Sequence, residues 1–259
     1  MTDIRIVSAL LEEGRHSPSI DETEGGLGRH VPADRRIAGI VPLKVIPPDN
    51  RTRVTSTDEW PYCTFGKLDL VFPKGGAGGS GVLVGSNIVL TAGHCAYDQK
   101  LGGWVRGARF TPGKNETAAP FGFSDALKAH STAGWVERGN PDYDIAAFVL
   151  KENFGISVGS INIDILNDDL FKKAVFAVTG YPGDKGGLQM WTHAEKIKTV
   201  TLSKLFYEID TESGQSGAPL WNPETQGLAG IHTTGGSSEN GAVRLNAEKS
   251  SWLKGVMSS

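Results

Sequence analysis

The chain has 259 residues, enough to bury a large core as one domain or as two packed halves. Its 34 glycines, 21% charged and 39% hydrophobic content describe a protein of turns and short strands rather than a helical bundle. A formal net charge of −3 leaves no basic footprint for a polyanion, and no stretch approaches the roughly 20 apolar residues of a membrane span, so neither nucleic acid nor a membrane is an expected partner.

Residues 1–44 contain no Phe, Trp or Tyr and include the loose stretch EGGLGRHVPADRR, so they read as an appendage to the folded body. Their opening, MTDIRIVSALLEEGRH, carries Asp3 and too short an apolar run for a secretory signal. From Trp60 onward the texture changes to β-branched runs separated by glycine turns: KLDLVF, GVLVGSNIVL, DIAAFVL, AVFAVTGY and GLAGIHTT. That pattern predicts an all-β body. Within it, Gly85-Ser86-Asn87 between VLV and IVL predicts a three-residue hairpin connection with one left-handed position. Leu245, Trp252, Leu253 and Val256 recur at helical spacing and predict one closing helix. Two cysteines, Cys63 and Cys95, exclude a disulfide-dense scaffold and a four-cysteine zinc site; they leave open one bridge or two separately buried thiols. No cofactor is expected, because Asp142, Asp168, Asp169 and Asp184 form no recognisable ligand loop for calcium.

Three stretches carry chemistry. Amide hydrolysis by a serine hydroxyl needs a base to take its proton and an acid to hold that base in one tautomer. TAGHC places His94 just after a strand; DYDIAAFVL places Asp144 at the start of one, preferred over Asp142 because the strand begins immediately after it; DTESGQSGAPLW places Ser216 among glycines. Gly214 and Gly217 permit the tight backbone that aims the Gly214 and Ser216 amides at a developing oxyanion. Each stretch alone has an ordinary structural explanation. Their order, His then Asp 50 residues on then Ser 72 further, makes coincidence a poor one. The same order, and Ala218 where a G-x-S-x-G elbow needs glycine, disfavours a lipase or esterase.

At TAGHC, DYDIA and GQSGAP the chain resembles the trypsin-like serine proteases, and DNRTRVTSTDEWPY, GYPGDK and GIHTTGG are similar to stretches of the glutamyl endopeptidases. The resemblance implies two antiparallel six-stranded β-barrels, over about residues 57–155 and 156–245, with a closing helix over about 246–257. It implies peptide or protein substrates, a monomer, secretion, and cleavage after Glu and less well after Asp through an acyl-enzyme at Ser216. In that family a histidine on the pocket wall receives the acidic side chain. The matching residue is His232, aided by Thr211 five residues before the serine, where specificity for a basic side chain would call for an acid. His193 is a candidate support behind His232. The resemblance further implies a propeptide, here residues 1–44, and cleavage between Lys44 and Val45 to free an α-amino group that helps bind the substrate carboxylate. Gln215 stands where pancreatic relatives have the Asp of their activation salt bridge, so that bridge cannot form. Two alternatives stay open at this point: a trypsin-like protease of other specificity, and a catalytically silent binding protein on the same fold.

Overall fold

A computed structural model describes residues 3–12, 45–236 and 238–259. The first half supplies strands β1 (Ile6–Leu10), β2 (Thr52–Arg53), β3 (Phe65–Phe72), β4 (Gly75–Leu83), β5 (Ile88–Thr91), the small pair β6 (Tyr97–Asp98) and β7 (Gly103–Trp104), β8 (Gly107–Pro112), β9 (Ser124–Thr132) and β10 (Ala146–Leu150). They pair in the order β1-β9-β10-β5-β4-β3-β8, and a further β8–β9 pairing at Arg109↔Asp125 and Phe110↔Ser124 closes six of them into a barrel. Alternation does the sorting: Leu68, Leu70 and Phe72 of β3 turn inward with Phe110 and Phe148, each buried side chain contributing about 1.5–3 kcal/mol.

The second half supplies β11 (Val175–Gly180), β12 (Trp191–Lys196), β13 (Thr199–Val200), β14 (Lys204–Tyr207), β15 (Pro219–Asn222), β16 (Gly227–Thr234) and β17 (Asn240–Arg244). Their order is β13-β14-β17-β16-β15-β11-β12-β2. The β13 end of this sheet is joined by the chain itself to β12 on the far side, because β12 continues through Ile197 and Lys198 into β13, with the Lys198 amide already bonded to the Phe206 carbonyl at 2.8 Å. The second barrel is thus a sheet bent round by a kinked strand, whereas the first is closed by a ladder. Phe171, Phe176, Val178, Tyr207 and Leu220 fill it.

Among the described residues the α-helices are α1 (Gly93–Ala96), α2 (Ala133–Arg138), α3 (Asp168–Lys173) and α4 (Ala247–Met257), and none is long and apolar enough to cross a membrane. The closing helix α4 starts where the Asn246 carboxamide oxygen accepts from the Lys249 amide at 3.0 Å, an N-cap. Its Trp252, Leu253 and Val256 pack into a cluster shared with Phe65, Tyr181, Trp221 and Ile231 from the two barrels. That cluster joins the halves and sets the cleft between them.

Two local expectations come out differently. No residue of Gly85-Ser86-Asn87 has a positive φ. The turn is held from outside instead, by the Phe154 amide on the Ser86 carbonyl (2.7 Å) and the Leu150 amide on that of Asn87 (2.8 Å), which removes the need for a left-handed residue. Residues 1–44, read as an appendage, contribute β1 to the edge of the first sheet.

Candidate active site

His94 lies in the single turn α1, two residues past the N-cap Ala92 that follows the end of β5 at Thr91. Asp144 follows the 3-10 turn Pro141–Tyr143 and leads into β10, which pairs with β5, so the two strands bring His94 and Asp144 together. Asp144 is buried and grips the histidine twice: Oδ1 accepts from the His94 amide at 2.8 Å and Oδ2 lies 2.9 Å from Nδ1. The neighbouring Asp142 has its amide capped by the Asn140 side chain and does not reach the imidazole. Burial pulls the His94 pKa down, but the charge and hydrogen bond of Asp144, with Asp98 further off, outweigh it, and the net shift is upward from 6.5. A ring held in this way presents Nε2 as a base.

Ser216 sits on the loop between β14 and β15, pulled towards α1 from several directions. Its carbonyl accepts from the Ser80 amide at 2.8 Å and faces the Cys95 sulfur, next to His94, at 3.8 Å. The Gly217 amide donates to the His232 carbonyl, and Ser80 Oγ donates to the Gly214 carbonyl while accepting from the Tyr181 amide. Gly214 (φ +94°) and Gly217 (φ +84°) occupy backbone that side chains avoid, and a Cβ on Gly217 would stand 2.3 Å from the Ser80 carbonyl. Among the described residues neither the Gly214 nor the Ser216 amide has an acceptor, and two such free donors on one loop are what an oxyanion requires.

His232 is fully buried on β16. Its Nδ1 lies 2.7 Å from the Tyr207 hydroxyl on β14, while its Nε2 has no partner among the described residues. Burial, with the charge of Lys204 added, pulls its pKa to about 3, so the ring is neutral. Burial also pushes the Tyr207 hydroxyl well above 10, so it keeps its proton and can donate to Nδ1, which leaves Nε2 to carry N–H. Thr211 Oγ1 and Gln215 Nε2, both buried on the adjoining loop, likewise lack partners. At the end of β16 a cavity of about 370 Å³ opens between Phe206, Thr234, Gly235, Gly236 and Asn240.

The structure corrects the expectation for His193. The ring that supports His232 is Tyr207; His193 Nδ1 accepts from the Asp210 amide at 2.8 Å instead. Strand order is the reason: β14 is separated from β16 only by β17, whereas β12 lies beyond β15 and β11 on the other side. Asp210 itself is the residue that the sequence reading passed over. An acid does stand at the pocket wall, beside Thr211, but its oxygens are taken: Oδ1 by the Ile46 amide at 2.7 Å and Oδ2 by the Asn50 amide at 2.9 Å. Val45 is thereby seated next to the loop that carries Thr211 and Ser216. The buried Arg51 secures the same segment, with Nε and Nη2 on Asp49 and Nη1 on Asp184 at 3.0 Å, and the adjacent Gly183 amide donates to the Ser213 carbonyl. Lys204, also missed, is buried with its ammonium on Thr233 Oγ1 at 2.8 Å; burial pulls its pKa to about 8. The cysteines are two buried free thiols, Cys95 pushed up to about 12 by burial.

The trypsin-family model, described as "Trypsin", matches residues 59–248. The chain belongs to the trypsin family. This trypsin-family chain is 35% identical over 216 residues to the glutamyl endopeptidase of Bacillus licheniformis, covering 79% of itself and 66% of that protein's length. It is 33% identical over 223 residues to a Bacillus subtilis (strain 168) protein called extracellular metalloprotease, covering 84% of itself and 71% of that protein. The solved structure of a Glu endopeptidase in complex with MPD superposes with a TM-score of 0.76 at 27% identity, over 83% of this chain and all of that one. The name of the subtilis protein implies a metal. Among the described residues no three His, Cys, Asp or Glu side chains stand together to hold one, so these residues do not offer the donor set. The protein is a trypsin-like serine endopeptidase that acts on protein or peptide substrates.

Proposed function

We propose that this protease cuts after Glu, and more slowly after Asp, through an acyl-enzyme on Ser216. His94 Nε2 takes the Ser216 proton as Oγ attacks the scissile carbonyl, Asp144 stabilises the imidazolium, and the Gly214 and Ser216 amides receive the oxyanion; the proton then passes to the leaving amine. Water repeats the sequence on the ester. The observation that carries the specificity is His232 Nε2, buried and unpartnered, with Tyr207 on the opposite ring nitrogen. A substrate carboxylate loses its hydration on entering such a pocket and needs donors to replace it, which a neutral imidazole N–H and the Thr211 hydroxyl supply. The relatives named glutamyl endopeptidase support the same reading.

His232→Ala is expected to lower kcat/KM for Glu substrates by about 100-fold or more, the loss of one buried charge-assisted bond of ~3 kcal/mol, while leaving slow cleavage after Leu unchanged. An equal loss on both would make His232 structural.

Residues 1–44 are a propeptide-like segment in this reading, severed from the protease body by a cut after Lys44; the enzyme works outside the cell, and the cut frees the Val45 α-amino group to help bind the substrate's acid. The Ile46 amide on Asp210, one residue from Thr211, favours it. Since a Glu-specific enzyme does not cut after Lys, another protease performs the step. The larger chain of the active form is expected to begin at Val45 by mass spectrometry; an active chain uncut at that bond contradicts it.

A further inference from the structure

Strand β9 meets β8 only at its beginning, through Asp125 and Ser124, and from about residue 127 onward that edge is taken by β1. The register runs from Ile6↔Thr132 to Leu10↔Lys128, and continues as the Leu11 amide on the Leu127 carbonyl (3.0 Å) and the Glu12 amide on that of Arg106 (2.9 Å). Without β1, an edge whose residues Ala129–Thr132 are fully buried would be left with open backbone groups. Apolar contact adds to the pairing: Ile4 and Ile6 pack on the cluster between the barrels, and Leu11 on the first barrel. Ser8 Oγ meets His130 Nδ1 at 2.8 Å.

The same segment reaches towards the catalytic residues. The carbonyls of Arg5 and Asp3 accept from the Ala133 and Gly134 amides, the otherwise unpaired start of α2, and ion pairs Arg5–Glu137 and Asp3–Arg138 hold its far end. Helix α2 carries Trp135, whose ring lies 6.2 Å from that of His94. Thr132 Oγ1 donates to the Tyr143 carbonyl and Ser131 Oγ to that of Ile145, the two residues that flank Asp144.

We propose that residues 3–12 are a permanent strand of the protease body, bound by the open edge of β9, so that cutting the chain between residues 12 and 45 leaves a two-chain enzyme with this strand in place as a brace for the Asp144 segment. These pairings, apolar contacts and ion pairs are made by residues 3–12 themselves.

The test is independent of natural processing. A recognition sequence for a site-specific protease is inserted after Lys44 in the full chain, which is purified, cut, and weighed under denaturing and native conditions. Denaturing conditions should give two pieces; native conditions should give one particle with the mass of both, near the 27.6 kDa of the whole chain plus the insert. A native mass equal to the larger piece alone overturns the proposal. In the cut protein, Ile6→Asp should release the small piece and Ile6→Val should retain it; retention by Ile6→Asp would mean that other residues hold it, and also overturns the assignment. Release should lower kcat more than it raises KM and shift the acid limb of the pH profile, which follows His94; an unchanged profile and kcat after release overturn the bracing role.

Discussion

Ser216→Ala is expected to lower kcat/KM by about 10⁶-fold and leave the fold intact, since the nucleophile is lost and only the oxyanion donors and substrate binding remain to catalyse. The hydroxyl makes none of the bonds that position its loop. Those are made by backbone groups, from the Ser80 amide on the Ser216 carbonyl to the Gly217 amide on that of His232. Unfolding free energies of the variant and parent should therefore agree within about 0.5 kcal/mol. Retention of more than a thousandth of the activity would show that another group attacks the substrate.

Asp144→Asn should cost about 10⁴-fold in kcat, the loss that accompanies the same change in the family's template enzyme, because an amide nitrogen facing Nδ1 favours the wrong tautomer. Its pH signature is more diagnostic than its size. In the parent, the carboxylate lifts the His94 pKa above 6.5 against the pull of burial, so activity falls as pH drops through that raised value. Removing the negative charge lowers the His94 pKa and moves the acid limb to lower pH. Stability follows the opposite course: a histidine whose folded pKa is raised contributes stability that is fully present below its unfolded value and is lost as pH rises through the folded one. The variant should lack that acid-side gain. An acid limb that stays in place would mean that a group other than His94 sets it.

The parts of the site legible in the sequence are those written in consecutive residues. TAGHC, DYDIA and GQSGAP each encode a local device, a strand end, a strand start and a glycine-flanked loop, and their spacing follows from two barrels folding in order. The closing helix was legible for the same reason, since Trp252, Leu253 and Val256 lie within two turns. Partnerships across the sheet were not. Tyr207 and His232 stand 25 positions apart and meet because β17 lies between their strands, an adjacency that no spacing announces. The acid at the pocket wall, Asp210, was obscured by Thr211 beside it, and its meaning depends on two amides some 160 residues earlier. Strand β1, the short run IVSAL, was hidden by its setting: the segment 1–44 around it is charged and without aromatics, and the strand gains its apolar contacts only once the barrel edge exists. The second barrel's closure by a kink at Ile197 and Lys198 left no mark in the pattern either.

These missed residues share a function in the account. Tyr207 sets which nitrogen of His232 bears the proton, Asp210 and Arg51 seat the segment around Val45 against the nucleophile's loop, and Lys204 places a buried charge near both imidazoles. Under the proposed specificity, an incoming carboxylate would meet neutral donors in this pocket, with a positive field behind them. Burial sets the Lys204 pKa near 8, so above that pH the field weakens.

The central claim is cleavage after an acidic residue through Ser216, and peptides identical except for the residue on the acyl side of the cut test it most directly. The account predicts kcat/KM for Glu at least about 100-fold above that for Leu, equivalent to ~2.7 kcal/mol, with Asp between them. Equal rates for Glu and Leu would contradict it.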